Sequence, residues 1–154
     1  MPESEEASGS ARAPFAYTTI RVVPRVEREE FVNVGVVLYS RPRKFLGVQA
    51  RLDRDRLRAL WPEPDLDAVE RQLDVIRLVV AGDPTGGAIA LLPAAERFGW
   101  LSAPASTVVQ PGPVHAGLAD DPEVALRELF VELVELASSD ESVPGWRALD
   151  FGSR

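Results

Sequence analysis

Three segments in the first 52 residues alternate between apolar and polar side chains, and this alternation is the strongest constraint on the fold. The segments are 15–24, 31–40 and 44–52, and short polar stretches separate them. A period of two is typical of β-strands that bury one face. Connections this short join neighbouring strands as an antiparallel meander. The sequence therefore predicts an antiparallel sheet at the start of the folded part.

One face of this predicted sheet is almost entirely aliphatic. Nine of its side chains are branched aliphatics. Burying them at ~1.5 kcal/mol or more each is worth over ~10 kcal/mol, similar to a domain's net stability of ~5–15 kcal/mol. Helices from the rest of the chain are the expected cover. The face consists of Ile20, Val22, Val32, Val34, Val36, Leu38, Leu46, Val48, Ala50 and Leu52.

The opposite face combines charged, amide and aromatic side chains. Arg21, Asn33, Gln49 and Arg51 project from it in the predicted register, with tyrosines and phenylalanines around them. Guanidinium groups pair with phosphate or carboxylate, and aromatic rings stack on bases. This composition favours a small anion- or nucleotide-binding site. In the alternative interpretation, segment 110–115 covers the face and these groups bond its backbone.

Aspartates mark the starts of three predicted helices. Asp53, Asp65 and Asp121 each precede a segment whose apolar residues have helical spacing, and aspartate is a preferred N-cap. Gly82 is expected to end the second of these helices. The adjacent acidic pair Asp120 and Asp121 is therefore interpreted as part of a cap and not as a metal site.

The order of these elements predicts the fold class. Strands come first, helices follow, and one later strand is expected near 106–110. We therefore predict an α+β fold, an antiparallel sheet of three to five strands with helices packed on one face. Residues 1–14 are read as a disordered acidic tail, 15–139 as a single domain and 140–154 as a C-terminal tail.

Charge and composition narrow the class of protein. The net charge of −7 divides into −2 for residues 1–14, +5 for 15–58 and −10 for 59–154. The acidic total argues against nonspecific binding to nucleic acid. No apolar run is long enough for a membrane span, and cysteine is absent. We therefore expect a cytoplasmic protein with no disulfide, metal site or cofactor.

The single histidine, His115, ends the segment 106–115, Ser-Thr-Val-Val-Gln-Pro-Gly-Pro-Val-His. Prolines fix φ and stiffen this segment, and histidine titrates near neutral pH. His115 is therefore a candidate general acid or base, and Gln110 and His115 are candidate binding residues beside the polar face. The alternative is a histidine that bonds a backbone carbonyl and holds the turn. No nucleophile motif or phosphate loop accompanies it.

Four segments together resemble a bacterial family known as domain of unknown function 3037. They are Tyr-Thr-Thr-Ile-Arg-Val-Val-Pro at 17–24, Glu-Phe-Val-Asn-Val-Gly-Val-Val-Leu-Tyr at 30–39, Arg-Phe-Gly-Trp at 97–100 and the segment 106–115. The resemblance spans roughly 15–138. An arginine often precedes the Ser-Thr-Val run in this family, whereas Ala105 stands here. Members are often encoded beside a HipA-like kinase, so the resemblance implies a partner of such a kinase and supplies no catalytic residues.

Two functions are consistent with these observations. The first is a non-enzymatic accessory or interaction module with a protein partner, which the resemblance suggests is a HipA-like kinase. The second is a small anion- or nucleotide-binding enzyme. Its site would unite Arg21, Asn33, Gln49 and Arg51 with His115 as the proton-transfer group.

Overall fold

The sheet predicted from the alternating segments is present in the computed structural model, which describes residues 11–135 of the chain. All strand pairs are antiparallel. The spatial order is β3-β2-β1, and the far edge of β1 is shared by β4 and β5. The prediction of an α+β fold with an antiparallel sheet of three to five strands is therefore confirmed. The strands are β1 (Ala13–Val22), β2 (Val32–Ser40), β3 (Phe45–Ala50), β4 (Val109–Pro111) and β5 (His115–Ala119).

Four α-helices follow or interrupt the strands. A π-helical turn, Val131–Glu135, continues the last of them, and 3-10 turns occupy Val26–Arg28, Pro84–Gly86 and Ala88–Leu91. None of the helices within residues 11–135 is long and apolar enough to cross a membrane. The helices are α1 (Arg54–Leu60), α2 (Leu66–Ala81), α3 (Ala94–Leu101) and α4 (Pro122–Phe130).

The helices contribute to cores on both faces of the sheet, and the prediction that they pack on one face is not confirmed. Helices α1, α2 and α3 enclose one core with Ile20, Val22 and Val37. Helix α4 builds a second core with Val36 and Leu38, which project to the other side because neighbouring strand residues alternate. The second face has enough apolar surface to bury a helix of its own.

A β-bulge in β2 explains why the predicted faces were partly wrong. Ile20 pairs with Gly35, but Arg21 pairs with Asn33, so Val34 is an extra residue. A bulge shifts the alternation by one position. Val32 and Val34 therefore share a core with Val37. Beyond the bulge, Val36 and Leu38 lie on the α4 face instead of the predicted aliphatic one.

The predicted helix signals are confirmed. The side chains of Asp53, Asp65 and Asp121 accept hydrogen bonds from the backbone N–H groups at the starts of α1, α2 and α4. Asp121 is thus a cap, as expected. Gly82 ends α2 with φ +72°, in the left-handed region that favours glycine.

Arg97 joins the end of α2 to α3. Its Nη1 donates to the carbonyls of Val79 and Val80 at 3.0 and 2.7 Å, and its Nε donates to Leu92 O at 2.8 Å. These bonds satisfy carbonyls that a helix end leaves without intrahelical partners. The neighbouring Phe98 stacks on Tyr39 with ring centroids 5.6 Å apart. The Arg-Phe-Gly-Trp motif therefore fixes the packing of two helices against the sheet.

The start of β1 lies close to the predicted domain boundary. The strand begins at Ala13, two residues before the boundary at residue 15, and Ala13 is buried. Most of the predicted N-terminal tail and all of the predicted C-terminal tail, 140–154, lie outside the described residues.

Candidate functional site

The polar face of the sheet is occupied by the end of α4 and by the π turn. Asn33 Nδ2 donates to Leu133 O at 3.2 Å, and Arg51 Nη2 lies 3.0 Å from a carboxylate oxygen of Glu135. From α1, Arg56 Nη1 donates to Val134 O at 2.8 Å. Two of the predicted binding residues therefore hold the last described turn of the chain.

Arg21 lies on the same face but has a different environment. Its guanidinium carbon is 3.9 Å from the centre of the Phe31 ring, in a cation–π contact. Its Nε is buried without a hydrogen-bond partner within residues 11–135. A Cβ on Gly112 would lie 2.9 Å from that Nε, so the edge segment passes close to it. Burial lowers the pKa of Arg21.

The two predicted glutamines lie on separate strands of this face. Gln49 in β3 pairs with Val36 of β2, beneath α4. Gln110 in β4 pairs with Arg21, but its Nε2 donates to Thr107 O at 2.6 Å. The amide of Gln110 therefore stabilises its own loop.

The structure separates His115 from the arginine group. His115 is opposite Tyr17 in the pairing of β5 with β1, whereas Arg21 is four residues further along β1. Four residues of strand span about 13 Å. In segment 110–115, residues 110, 111 and 115 extend the sheet at its edge and Gly112 lies close to Arg21, so the segment borders the polar face instead of covering it. The predicted combination of His115 with Arg21 and Asn33 is not assembled.

His115 instead lies in a groove between the end of the sheet and α4. The cavity has a volume of about 790 Å³. Its floor and one wall come from Phe15, Tyr17 and β5, and its other wall comes from the first turns of α4. The residues that line it are Arg12, Phe15, Tyr17, His115, Ala116, Gly117, Leu118, Ala119, Asp120, Asp121, Val124, Ala125, Glu128 and Leu129.

An aromatic row forms the floor of this groove. The Phe15 and Tyr17 ring centroids are 6.1 Å apart, and the Tyr17 and His115 centroids are 5.3 Å apart. Gly117 faces Phe15 across the strand pair, and a Cβ on Gly117 would lie 2.6 Å from that ring. Because Gly117 has no side chain, the phenyl ring can lie across β5 and support the floor.

The chemistry of the groove is suited to binding. The side chain of His115 is exposed. Within residues 11–135 it contacts the Tyr17 ring, and no carboxylate orients it. No group of three histidine or acidic side chains in the described part of the chain is placed to hold a metal ion. Most of the lining is apolar or small, and Arg12 and three carboxylates complete it.

Sequence reasoning missed both the groove and the strand that borders it. Residues 115–119, His-Ala-Gly-Leu-Ala, contain no β-branched residue and carry no strand signal. Arg56 was also missed, since an arginine on a short helix gives no indication of a distant carbonyl partner. Phe15 opposite Gly117 is a cross-strand pair that becomes recognisable only when the register is known.

Comparison with known proteins gives a family without an assigned activity. No curated protein and no solved structure matches the chain. The family described as "Protein of unknown function (DUF3037)" matches residues 17–134, which include β2 to β5 and all four helices. The match covers more than half of the 154 residues, and the chain therefore belongs to the DUF3037 family.

Proposed function

We propose that this protein is a non-enzymatic accessory module that binds another protein through the groove between β5 and α4. The observation that carries the proposal is the open, largely apolar groove beside an exposed strand. Leu118 and Val114 beside it are 56% and 49% exposed, and Val124 on the α4 wall is 36% exposed. Apolar surface of this kind next to a polar rim is characteristic of protein interaction sites.

The arrangement of the polar residues supports binding over catalysis. A small anion-binding enzyme would need Arg21, Asn33 and Arg51 to converge on one ligand with His115 within reach. Asn33 and Arg51 instead bond the π turn, and His115 lies about 13 Å along the strand from Arg21. The enzyme hypothesis is therefore the weaker of the two.

A HipA-like kinase is the first partner to test, because the sequence resemblance points to one. We also propose a cytoplasmic location, in keeping with a chain that has no cysteine. Both proposals concern the biological setting, and the groove does not depend on them.

Co-purification with a HipA-like kinase from the same organism tests this function. The full-length protein and the variants Leu118→Lys and Val124→Lys would each be co-expressed with the tagged kinase. Leu91→Lys is the matched control, since Leu91 is 66% exposed and lies in a 3-10 turn that does not line the groove. We expect a complex with the wild type and with Leu91→Lys, and a loss of at least about tenfold in affinity for the two groove variants. A complex that both groove variants retain, or no complex at micromolar concentrations, would contradict the proposal.

A further inference from the structure

We infer that the partner of this groove is an extended, basic segment that adds to the outer edge of β5 as a further strand. This inference rests on the proposed function and names how the partner is recognised. In such strand addition, main-chain hydrogen bonds give affinity and alternate side chains give specificity.

The two edges of the sheet differ in how well they are protected. Edge strands are ordinarily blunted by charges, prolines, bulges or a covering element. At one edge, β3 is flanked by Lys44 and Arg51. At the other edge, Pro111 and Pro113 interrupt the chain between β4 and β5. These features restrict pairing along β3 and across the β4–β5 junction.

Strand β5, like β3, has no charge or proline within its own span, and the charge next to it is the acidic Asp120 instead of the basic Lys44 and Arg51. Residues 115–119 carry no lysine, arginine, acid or proline. Within residues 11–135, β5 pairs with β1 on one side and has no strand on the other. The small side chains of Ala116, Gly117 and Ala119 leave room on the faces of β5 for the side chains of a neighbouring strand. Strand β5 is therefore the edge prepared for addition.

The groove provides room for the side chains of an added strand. Its alternate residues would project over β5 toward α4, where the cavity of about 790 Å³ lies. Its remaining side chains would lie beside Leu118, which also lines the groove, and beside exposed Val114. Both sets have apolar surface to cover, as an alternating segment requires.

The charge around the groove selects a basic occupant. Asp120, Asp121 and Glu128 line it against one arginine, Arg12, and the whole chain carries a net charge of −7. Antiparallel pairing of two β5 strands would bring two acidic walls toward each other, which like-charge repulsion opposes. The acidic residues of the groove attract a lysine- or arginine-containing segment of a different protein, whereas they repel a second copy of this chain.

The test uses the full-length protein and a phage-displayed library of random twelve-residue peptides. We expect the selected peptides to have a higher net positive charge than the starting library and to alternate apolar with polar residues. A selected peptide, resynthesised, should slow amide hydrogen exchange at residues 114–119. Glu128→Lys should weaken its binding about fivefold or more. The matched control is Glu96→Lys, which makes the same charge change at an exposed position of α3 away from the groove. It should change binding less than twofold.

Each of the following results would overturn the inference. No enrichment, or enrichment of neutral or acidic peptides, excludes a basic segment. Protection confined to residues outside β5 excludes strand addition there. The informative amides are those of β5 that do not bond β1. If they exchange slowly in the free protein and the rate depends on concentration, a second copy covers the edge; if the slow rate does not depend on concentration, the chain covers its own edge. In one further outcome the kinase complex forms and is lost in the groove variants, but the peptide selection and hydrogen exchange do not give the expected results. In that case the inferred mode of recognition is wrong and the proposed function stands.

Discussion

Thr18 and Thr19 are neighbours in β1, both are at least nine-tenths buried, and their hydroxyl groups have opposite environments. Thr18 is fully buried, and its Oγ1 donates to Gly112 O at 2.7 Å. Thr19 is 8% exposed, and its Oγ1 has no hydrogen-bond partner in the described part of the chain. The pair therefore allows the value of a buried hydrogen bond to be measured against a buried hydroxyl that lacks one.

Replacing each threonine by valine separates the two cases. Valine has nearly the shape of threonine, so little cavity is created. Thr18→Val removes a hydrogen bond and leaves the carbonyl of Gly112 without that donor, which costs about 1–3 kcal/mol. Thr19→Val removes a hydroxyl that is desolvated without compensation, so we expect no loss and a gain of up to about 1 kcal/mol.

Urea unfolding of the two variants, followed by tryptophan fluorescence, measures this difference. We expect the free energies of unfolding to differ by about 2 kcal/mol, with wild type between them or level with Thr19→Val. In a thermal melt, that gap corresponds to roughly 6–10 °C for a domain of this size. The reasoning would be refuted if Thr19→Val destabilised the protein as much as Thr18→Val, because the Thr19 hydroxyl would then have a partner.

Three other substitutions test separate parts of the fold. Arg97→Ala should cost about 2–3 kcal/mol in urea unfolding because it frees the end of α2, whereas exposed Arg71→Ala on the same helix should cost less than about 0.5 kcal/mol. Gly35→Ala should cost about 1–3 kcal/mol, since its Cβ would lie 2.9 Å from a backbone oxygen, while Gly99→Ala in α3 has open space and should stabilise by about 0.5–1 kcal/mol. Equal effects of the two glycine variants would contradict the close approach at the bulge. Hydrogen bonds from Thr85 lower the pKa of Asp83, so its contribution to stability is present at neutral pH and lost as pH falls through that pKa. Asp83→Ala should therefore lower the melting temperature more at pH 7 than in acid, and an equal loss at both pH values would count against this.

The sequence predicted the strands and caps well because those signals are local. Alternation identified β1, β2 and β3, and the aspartate caps depend on bonds within two or three residues. The assignment of faces failed in β2 because the run at 34–38, Val-Gly-Val-Val-Leu, is apolar on both sides of a strand. Gly35 was the available signal, since a glycine inside a strand often accompanies a bulge.

The candidate site was less predictable because it depends on long-range placement. Arg21, Asn33, Gln49 and Arg51 do share the α4 side of the sheet, as the alternation indicated. Nothing in the sequence says that the end of α4 would bond Asn33 and Arg51, since those contacts join residues about 100 and 84 positions apart. Whether these residues, Gln110 and His115 bind a ligand stays a prediction.

The central position of β2 between two cores has a consequence for how the domain unfolds. A single strand contributes Val37 to one core and Val36 to the other, and both residues are at most 1% exposed. Helix α4 cannot detach without exposing the strand that also supports α2 and α3. The two helical layers are therefore coupled through one ribbon of backbone, and a two-core protein of this kind should lose both cores in one cooperative step. The amide protons of β2 are expected to exchange at the rate of global unfolding, slower than those at the open edge of β5.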